Sequence, residues 1–180
     1  MRTRVYNNLT VVPKGRPISN GVTTAYIALG SNLGDKRQNI KMAIRSVKQL
    51  KKTSVTGVSK LYRTLPENRA CRQAGNTPQP NFINAVIKIE TTLPATTLLK
   101  ELLRIEKTLG RIRIGGQLLP RTIDLDVLLY GRKSYRLPHL TIPHPRMHRR
   151  RFVLEPLCEL APDLTHPLLN KSICTLLKKL

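Results

Sequence analysis

Residues 82–110 read FINAVIKIETTLPATTLLKELLRIEKTLG, and two successive periods in this stretch decide the fold. Over Phe82–Thr91 the apolar residues Ile83, Ala85, Ile87 and Ile89 alternate with their neighbours, which puts them on one face of a strand. From Pro94 the period becomes helical, with Leu98, Leu102, Ile105 and Leu109 along one side. Pro94 stands near the helix start, its favoured place, and Gly110 stops the helix. Upstream, Ala25–Leu29 (AYIAL) is a short buried strand, broken by a tight turn at Gly30-Ser31-Asn32. Ser31 or Asn32 could cap the helix that follows from about Asp35 to Leu50. That helix sets Ile40, Ala43, Ile44, Val47 and Leu50 at helical spacing. Residues 55–63 read as a second strand, and 65–81, punctuated by Pro66, Gly75, Pro78 and Pro80, as a loop. Downstream, Thr122–Leu129 is a fourth strand, and Val153–Leu160 a short helix, with another from Ser172. The order β-α-β-β-α-β predicts an α/β (α+β) fold of the split βαβ type: an antiparallel-dominated sheet with helices on one face.

The chain has 180 residues, enough for one domain with a real core. Residues 1–22 hold Arg, Lys, two Pro and two Gly and no acid, and read as an extended or disordered basic leader before a single domain over 23–180. Pro13 and Pro17 would break the amphipathic helix of a transit peptide. Charge is the outlier: 32 Lys and Arg against 10 Asp and Glu, a formal +22. Such a field attracts polyanions such as nucleotides, nucleic acids or anionic membranes. Cys71, Cys158 and Cys174 have no metal-ligand spacing and are given no chemistry, which fits a reducing, cytoplasmic setting. No apolar run is long enough to span a bilayer.

The sharpest local feature is Arg121–Tyr130, RTIDLDVLLY. On a strand Ile123, Leu125, Val127 and Leu129 share the buried face, and Asp124 and Asp126 point together to the other. Their Cα atoms stand about 7 Å apart. At that distance two carboxylates repel by roughly 2.4 kcal/mol at an effective dielectric of 20, so a partly enclosed pair invites a cation. Hard oxygens at this spacing suit magnesium with substrate phosphates. An exposed polar face of an edge strand would carry the same pattern, but acids are scarce here and these two are flanked by arginines.

Arg111 and Arg113 end the second helix, and Arg121 stands across a loop holding Gly115-Gly116. Guanidinium forks at both ends of a flexible loop suit phosphate oxygens. A solvated basic surface is the plain alternative in so cationic a chain. The second cluster, Pro143–Phe152 (PHPRMHRRRF), contains His144 and only one aromatic, Phe152, which is thin for an RNA-binding stripe.

Taken together, AYIALGSNL (25–33), YRT (62–64), NFINAV (81–86), RIEKTLGRIR (104–113), PRTIDLDVLLYG (120–131) and IPHPRMHRRRFVLEP (142–156) resemble the 6-hydroxymethyl-7,8-dihydropterin pyrophosphokinase family of folate biosynthesis. The resemblance implies a ferredoxin-like sandwich. It also implies a 2-amino-4-hydroxy-6-hydroxymethyldihydropteridine diphosphokinase activity, moving the β,γ-diphosphate of ATP to a reduced pterin alcohol and releasing AMP. By the same resemblance Asp124 and Asp126 hold two magnesium ions brought with ATP, and Arg111 and Arg121 are catalytic. Glu106, Arg113, Val127, Leu140, Thr141, His144 and Arg150 fall on nucleotide-site positions. Thr64, Leu65, Phe82, Asn84, Asp124 and Phe152 fall on the pterin pocket. Leu118-Leu119 depart from the family, which has Gly before the Pro-Arg, and the 65–81 loop is longer and more basic than usual.

Two rivals share these features. One is a ferredoxin-like module that binds RNA through its sheet; the other is a different magnesium-dependent nucleotide transferase that lacks the Asn84–Phe82–Phe152 pocket. The expected unit is a monomer that needs neither membrane nor nucleic acid, although its charge permits non-specific nucleic-acid binding.

Overall fold

The structure, a computed structural model, describes residues 21–66, 80–111 and 120–180. The leader up to residue 20, most of the 65–81 loop, Arg113 and Leu118-Leu119 lie outside the described residues.

Four strands run in the order β2 (Thr53–Val58), β4 (Phe82–Thr91), β1 (Thr23–Ser31), β5 (Asp124–Tyr130), every neighbouring pair antiparallel. A three-residue strand, β3 (Tyr62–Thr64), continues the β2 edge by pairing with the start of β4. The alternation of β4 holds: Ala85, Ile87 and Ile89 are buried against α1 (Lys36–Lys48) and α2 (Ala95–Thr108). Both helices use the faces that the sequence marks, Ile40, Ala43 and Val47 on α1 and Leu98, Leu102 and Ile105 on α2. Gly110, at φ +83°, takes the left-handed turn that ends α2. The chain order and sheet order are those of the ferredoxin-like sandwich.

Helices cover both faces of the sheet, and not one face as expected. α3 (Arg151–Leu160) and α4 (Ile173–Leu177) pack on the side opposite α1 and α2, over Tyr26, Val86 and Leu128. This second core occupies only half of its face, and the uncovered half is where Asp124 and Asp126 point. Cys158 and Cys174 join α3 to α4 by a disulfide, Cα atoms 5.2 Å apart. The pairing was not foreseen from the cysteine spacing, and it sits at odds with the reducing setting inferred from it.

Three further differences have local causes. The expected 55–63 strand splits at Ser59, whose N–H donates to Val86 O (2.9 Å) while its Oγ accepts from Val86 N (2.9 Å). Strand β1 runs on through Gly30 and Ser31, which pair with Asn84 and Ile83, so the turn begins later; the α1 cap is Asp35, accepting from Gln38 N at 3.0 Å. A bulge sets Ile27 opposite Val127 and Tyr26 opposite Leu129. One extra residue, Leu128, is thereby inserted, and Leu129 moves from the Leu125–Val127 face to the α3 side, while Tyr130 takes its place. A small hairpin, β6 (Tyr135–Leu137) with β7 (Leu140–Ile142), is also present.

Candidate active site

The uncovered half of the sheet forms the floor of a cavity of about 410 Å³. Asp124 and Asp126 line it from β5, Asn84 and Phe82 from β4, Thr64 and Leu65 from the end of β3. Arg111, Arg121, His144, Arg150 and Phe152 close its sides. Residues far apart in sequence thus meet because β1, β4 and β5 are adjacent strands whose alternate residues rise from one face, bordered by the ends of β3 and α3.

Charge is concentrated at the β5 side. The Arg111 Nη1 donates to Asp124 Oδ1 and to Glu106 Oε1, and Arg121 Nη1 donates to Asp124 Oδ2. Glu106 is buried (2% exposed) and also accepts from Leu125 N at 2.7 Å. This one carboxylate therefore fastens α2, β5 and the first arginine together. Asp126 is differently placed: its side chain is 43% exposed, and His144 Nε2 stands 4.0 Å from its Oδ2. Burial of the Asp126 carboxyl, then the nearby charges of Asp124 and Glu106, raise its pKa to about 6 against the partial relief from Arg150 and Arg111. His144 goes the other way, to about 4, through burial and then the repulsion of Arg150 and Arg146. It is neutral at pH 7. Its Nδ1 accepts from Arg146 N (3.3 Å), which leaves Nε2 as the donor facing Asp126.

The opposite end is flat and polar-edged. Asn84, 5% exposed, donates through Nδ2 to Thr64 Oγ1 at 2.7 Å. Gly30 lies beneath it: a Cβ there would stand 3.1 Å from Asn84 Oδ1. The sequence marks this glycine as a strand breaker; in the structure it is a close approach of main chain to the pocket. Phe82 and Phe152 each carry a guanidinium near the ring, Arg121 at 5.8 Å and Arg150 at 5.4 Å from the centroids.

The expected site residues do not all meet. The side chains of Val127 and Leu140 turn into the α1–α2 core, and Thr141 is exposed on the hairpin; none lines the cavity. Arg113 lies outside the described residues. Sequence reasoning missed Asn32 and Arg146. Arg146 lines the cavity and was written in PHPR all along; Asn32, in the turn after β1, holds the main chain of Arg121. No group of three or more His, Cys, Asp or Glu arranged to hold a metal ion occurs among the described residues.

The family model described as 7,8-dihydro-6-hydroxymethylpterin-pyrophosphokinase (HPPK) matches residues 26–162. The chain belongs to this family. A pyrophosphokinase of this kind from Haemophilus influenzae is 44% identical over 158 residues, covering 87% of this chain and 91% of that protein. One from Pseudomonas aeruginosa is 41% identical over 146 residues, 81% of this chain and 85% of that protein. The folic acid synthesis protein fol1 of Pneumocystis carinii is 42% identical, but this chain spans only 20% of it. Among solved structures, Plasmodium falciparum HPPK-DHPS with pteroate superposes with a TM-score of 0.69 at 16% identity, covering 91% of this chain and 43% of that one. At that identity the likeness speaks for the fold, and it agrees with the ferredoxin-like order of the HPPK sheet.

Proposed function

We propose that residues 23–180 act as one domain that transfers the β,γ-diphosphate of ATP to 6-hydroxymethyl-7,8-dihydropterin. The hydroxymethyl oxygen attacks the β-phosphorus, the bond from that phosphorus to the oxygen bridging the α-phosphate breaks, and AMP and the hydroxyl proton are released. The observation that carries this reading is one cavity with two unlike ends: arginines beside the carboxylates of β5, and an amide with aromatic side chains from β4 and α3.

Arg111 and Arg121 already converge on one anionic side chain, Asp124, and would meet phosphate oxygens from the same positions. The Arg121 Nε atom is buried without a partner among the described residues, a donor suited to an added oxygen. Guanidinium groups fixed in this way stabilise charge that grows on the transferred group. His144 supplies a neutral N–H donor beside them. At the other end the Asn84 amide meets the ring edge, and Phe82 and Phe152 offer faces for stacking. With substrates held in line, most of the acceleration is positioning and electrostatics.

The donor set fits magnesium. Asp124 and Asp126 present hard oxygens on one strand face, and burial, then the charges of Asp124 and Glu106, disfavour a bare Asp126 carboxylate that a cation would stabilise. Bound at these two residues, magnesium would neutralise phosphate oxygens and make the attacking hydroxyl more acidic.

Incubation of the purified chain with ATP, magnesium and the reduced pterin alcohol tests the reading. AMP formation that depends on the pterin is expected. A folded chain that yields no AMP above background would overturn it.

A further inference from the structure

The stretch from residue 36 to residue 66 contains nine Lys and Arg and no Asp or Glu. Much of this charge stands on α1. Arg37, Lys41, Arg45 and Lys48 are all exposed. At 100° per residue they fall within an arc of about 80°, and the first three repeat at about 6 Å along the axis. Ile40, Ala43 and Val47 anchor the other side of the helix in the core. Among the described residues none of the four cations has a carboxylate within ion-pairing distance. Like charges at i and i+4 repel, so this stripe weakens its own helix unless an outside anion answers it. The pyrophosphokinase reading makes no use of it. α1 packs with α2 on one sheet face, and the cavity opens on the other.

We propose that the outer side of α1 is a docking face for the phosphate backbone of duplex RNA. The chemistry of the face selects this partner. A membrane-surface helix needs a free apolar side to insert, whereas the apolar side of α1 is committed to the core. A protein partner needs an apolar centre, and Met42, 39% exposed, is the one large apolar side chain that α1 presents. A single strand would be held by stacking on aromatics, and α1 has none. Nucleic-acid duplexes ask for a polar, strongly positive surface. A helix half embedded in its own domain cannot enter the deep, narrow major groove of A-form RNA. It can lie across the wide, shallow minor groove of A-form RNA, where phosphates and 2′-hydroxyls are at the surface. Gln38 and Gln49, both exposed, flank the stripe with amides that can donate to and accept from a 2′-hydroxyl. This differs from RNA binding through the sheet, because both sheet faces are already occupied by helices or by the cavity.

The test uses the full chain and a fluorescein-labelled RNA duplex of about 16 base pairs, the span that shape-reading domains cover. Anisotropy is followed over a salt series that includes about 0.15 M, the physiological value. The triple variant Lys41→Gln, Arg45→Gln, Lys48→Gln keeps good helix formers and removes three charges. A matched control, Lys171→Gln, Lys178→Gln, Lys179→Gln, removes three exposed charges near the C-terminus. The α1 variant is expected to bind at least tenfold more weakly. Its slope of log affinity against log salt should be shallower by about 0.9 for each lost contact. The control should stay within twofold of wild type, and both variants should form AMP at the wild-type rate. Should the triple variant fail to fold, Arg45→Gln alone, expected to lower the slope by about one contact, carries the same test. Equal weakening by the α1 and control variants would reduce the effect to net charge and overturn the proposal. So would equal affinity for a DNA duplex of the same sequence, or no RNA binding at about 0.15 M salt.

Discussion

Asn32 holds both main-chain polar groups of Arg121: Asn32 N donates to Arg121 O at 3.2 Å, and Asn32 Oδ1 accepts from Arg121 N at 2.8 Å. Asn32 is fully buried in the turn after β1, so the clasp is fixed to the sheet. Arg121 reaches Asp124 from this anchor, three residues before the acid. Loss of the side chain removes one buried hydrogen bond, worth about 1–2 kcal/mol, and leaves the Arg121 N–H unsatisfied. Asn32→Ala is therefore expected to lower kcat about tenfold with the KM for the pterin within twofold, because the arginine and not the pterin wall has moved. Asn32→Asp keeps the acceptor and should recover most of the rate. Steady-state kinetics with circular dichroism as a fold check measure this, and an unchanged kcat in Asn32→Ala would remove Asn32 from the mechanism.

Asp126 sets a conflict between function and stability. Its carboxyl titrates near 6 in the folded chain, against 3.8 in a free side chain. The folded state thus binds this proton more tightly than the unfolded state does, and stability is lost as pH rises through that window, not as it falls. The side chain is 43% exposed, so solvent screening limits the penalty at neutral pH to about 1 kcal/mol. Asp126→Asn, assayed without divalent cation at pH 7.5, should melt roughly 2–4 °C higher than wild type. The difference should shrink as pH falls through 6 and vanish only well below 3.8, where the carboxyl is protonated in the folded and unfolded chain alike, and AMP formation should be lost. A variant that melts at or below the wild-type temperature at pH 7.5 would contradict the assigned environment.

Much of this site was legible because short-range patterns carried it. The alternation in FINAVIKIET and the i, i+2 spacing of Asp124 and Asp126 fix which face each side chain takes, and the sheet then brings β4 and β5 to either side of β1. What was missed depends on partners distant in sequence. The Leu128 bulge is a mismatch between β5 and β1, visible in neither strand alone. Ser59 ends β2 because its hydroxyl replaces a carbonyl for Val86, a choice that β4 makes. Gly30 looked like a turn residue, and only the Asn84 side chain above it explains why a Cβ is excluded. Glu106 enters the expected nucleotide site by family resemblance alone, and no local pattern shows that Leu125 N and Arg111 share it.

The two walls of the proposed pterin end are braced by Tyr62 and Glu159. Tyr62 Oη donates to Glu159 Oε2 at 2.8 Å, and Lys60 N donates to the same oxygen at 3.2 Å. Tyr62 pairs with Asn84 and lies two residues before Thr64, while Glu159 stands on α3 two turns beyond Phe152. Burial, then the bond to Glu159, push the phenol up to about 12, so it remains a donor across any working pH. Such a bond to a charged acceptor near the surface is worth about 1 kcal/mol, or roughly fivefold in an equilibrium. Tyr62→Phe should accordingly raise the KM for the pterin about fivefold and leave kcat and the KM for ATP within twofold, since the β5 end does not share the brace. Glu159→Gln keeps one oxygen that can accept from both Tyr62 Oη and Lys60 N and should behave almost as wild type, whereas Glu159→Leu should match Tyr62→Phe. If Tyr62→Phe instead raises both Michaelis constants together, the residue supports the fold as a whole and not the pterin wall.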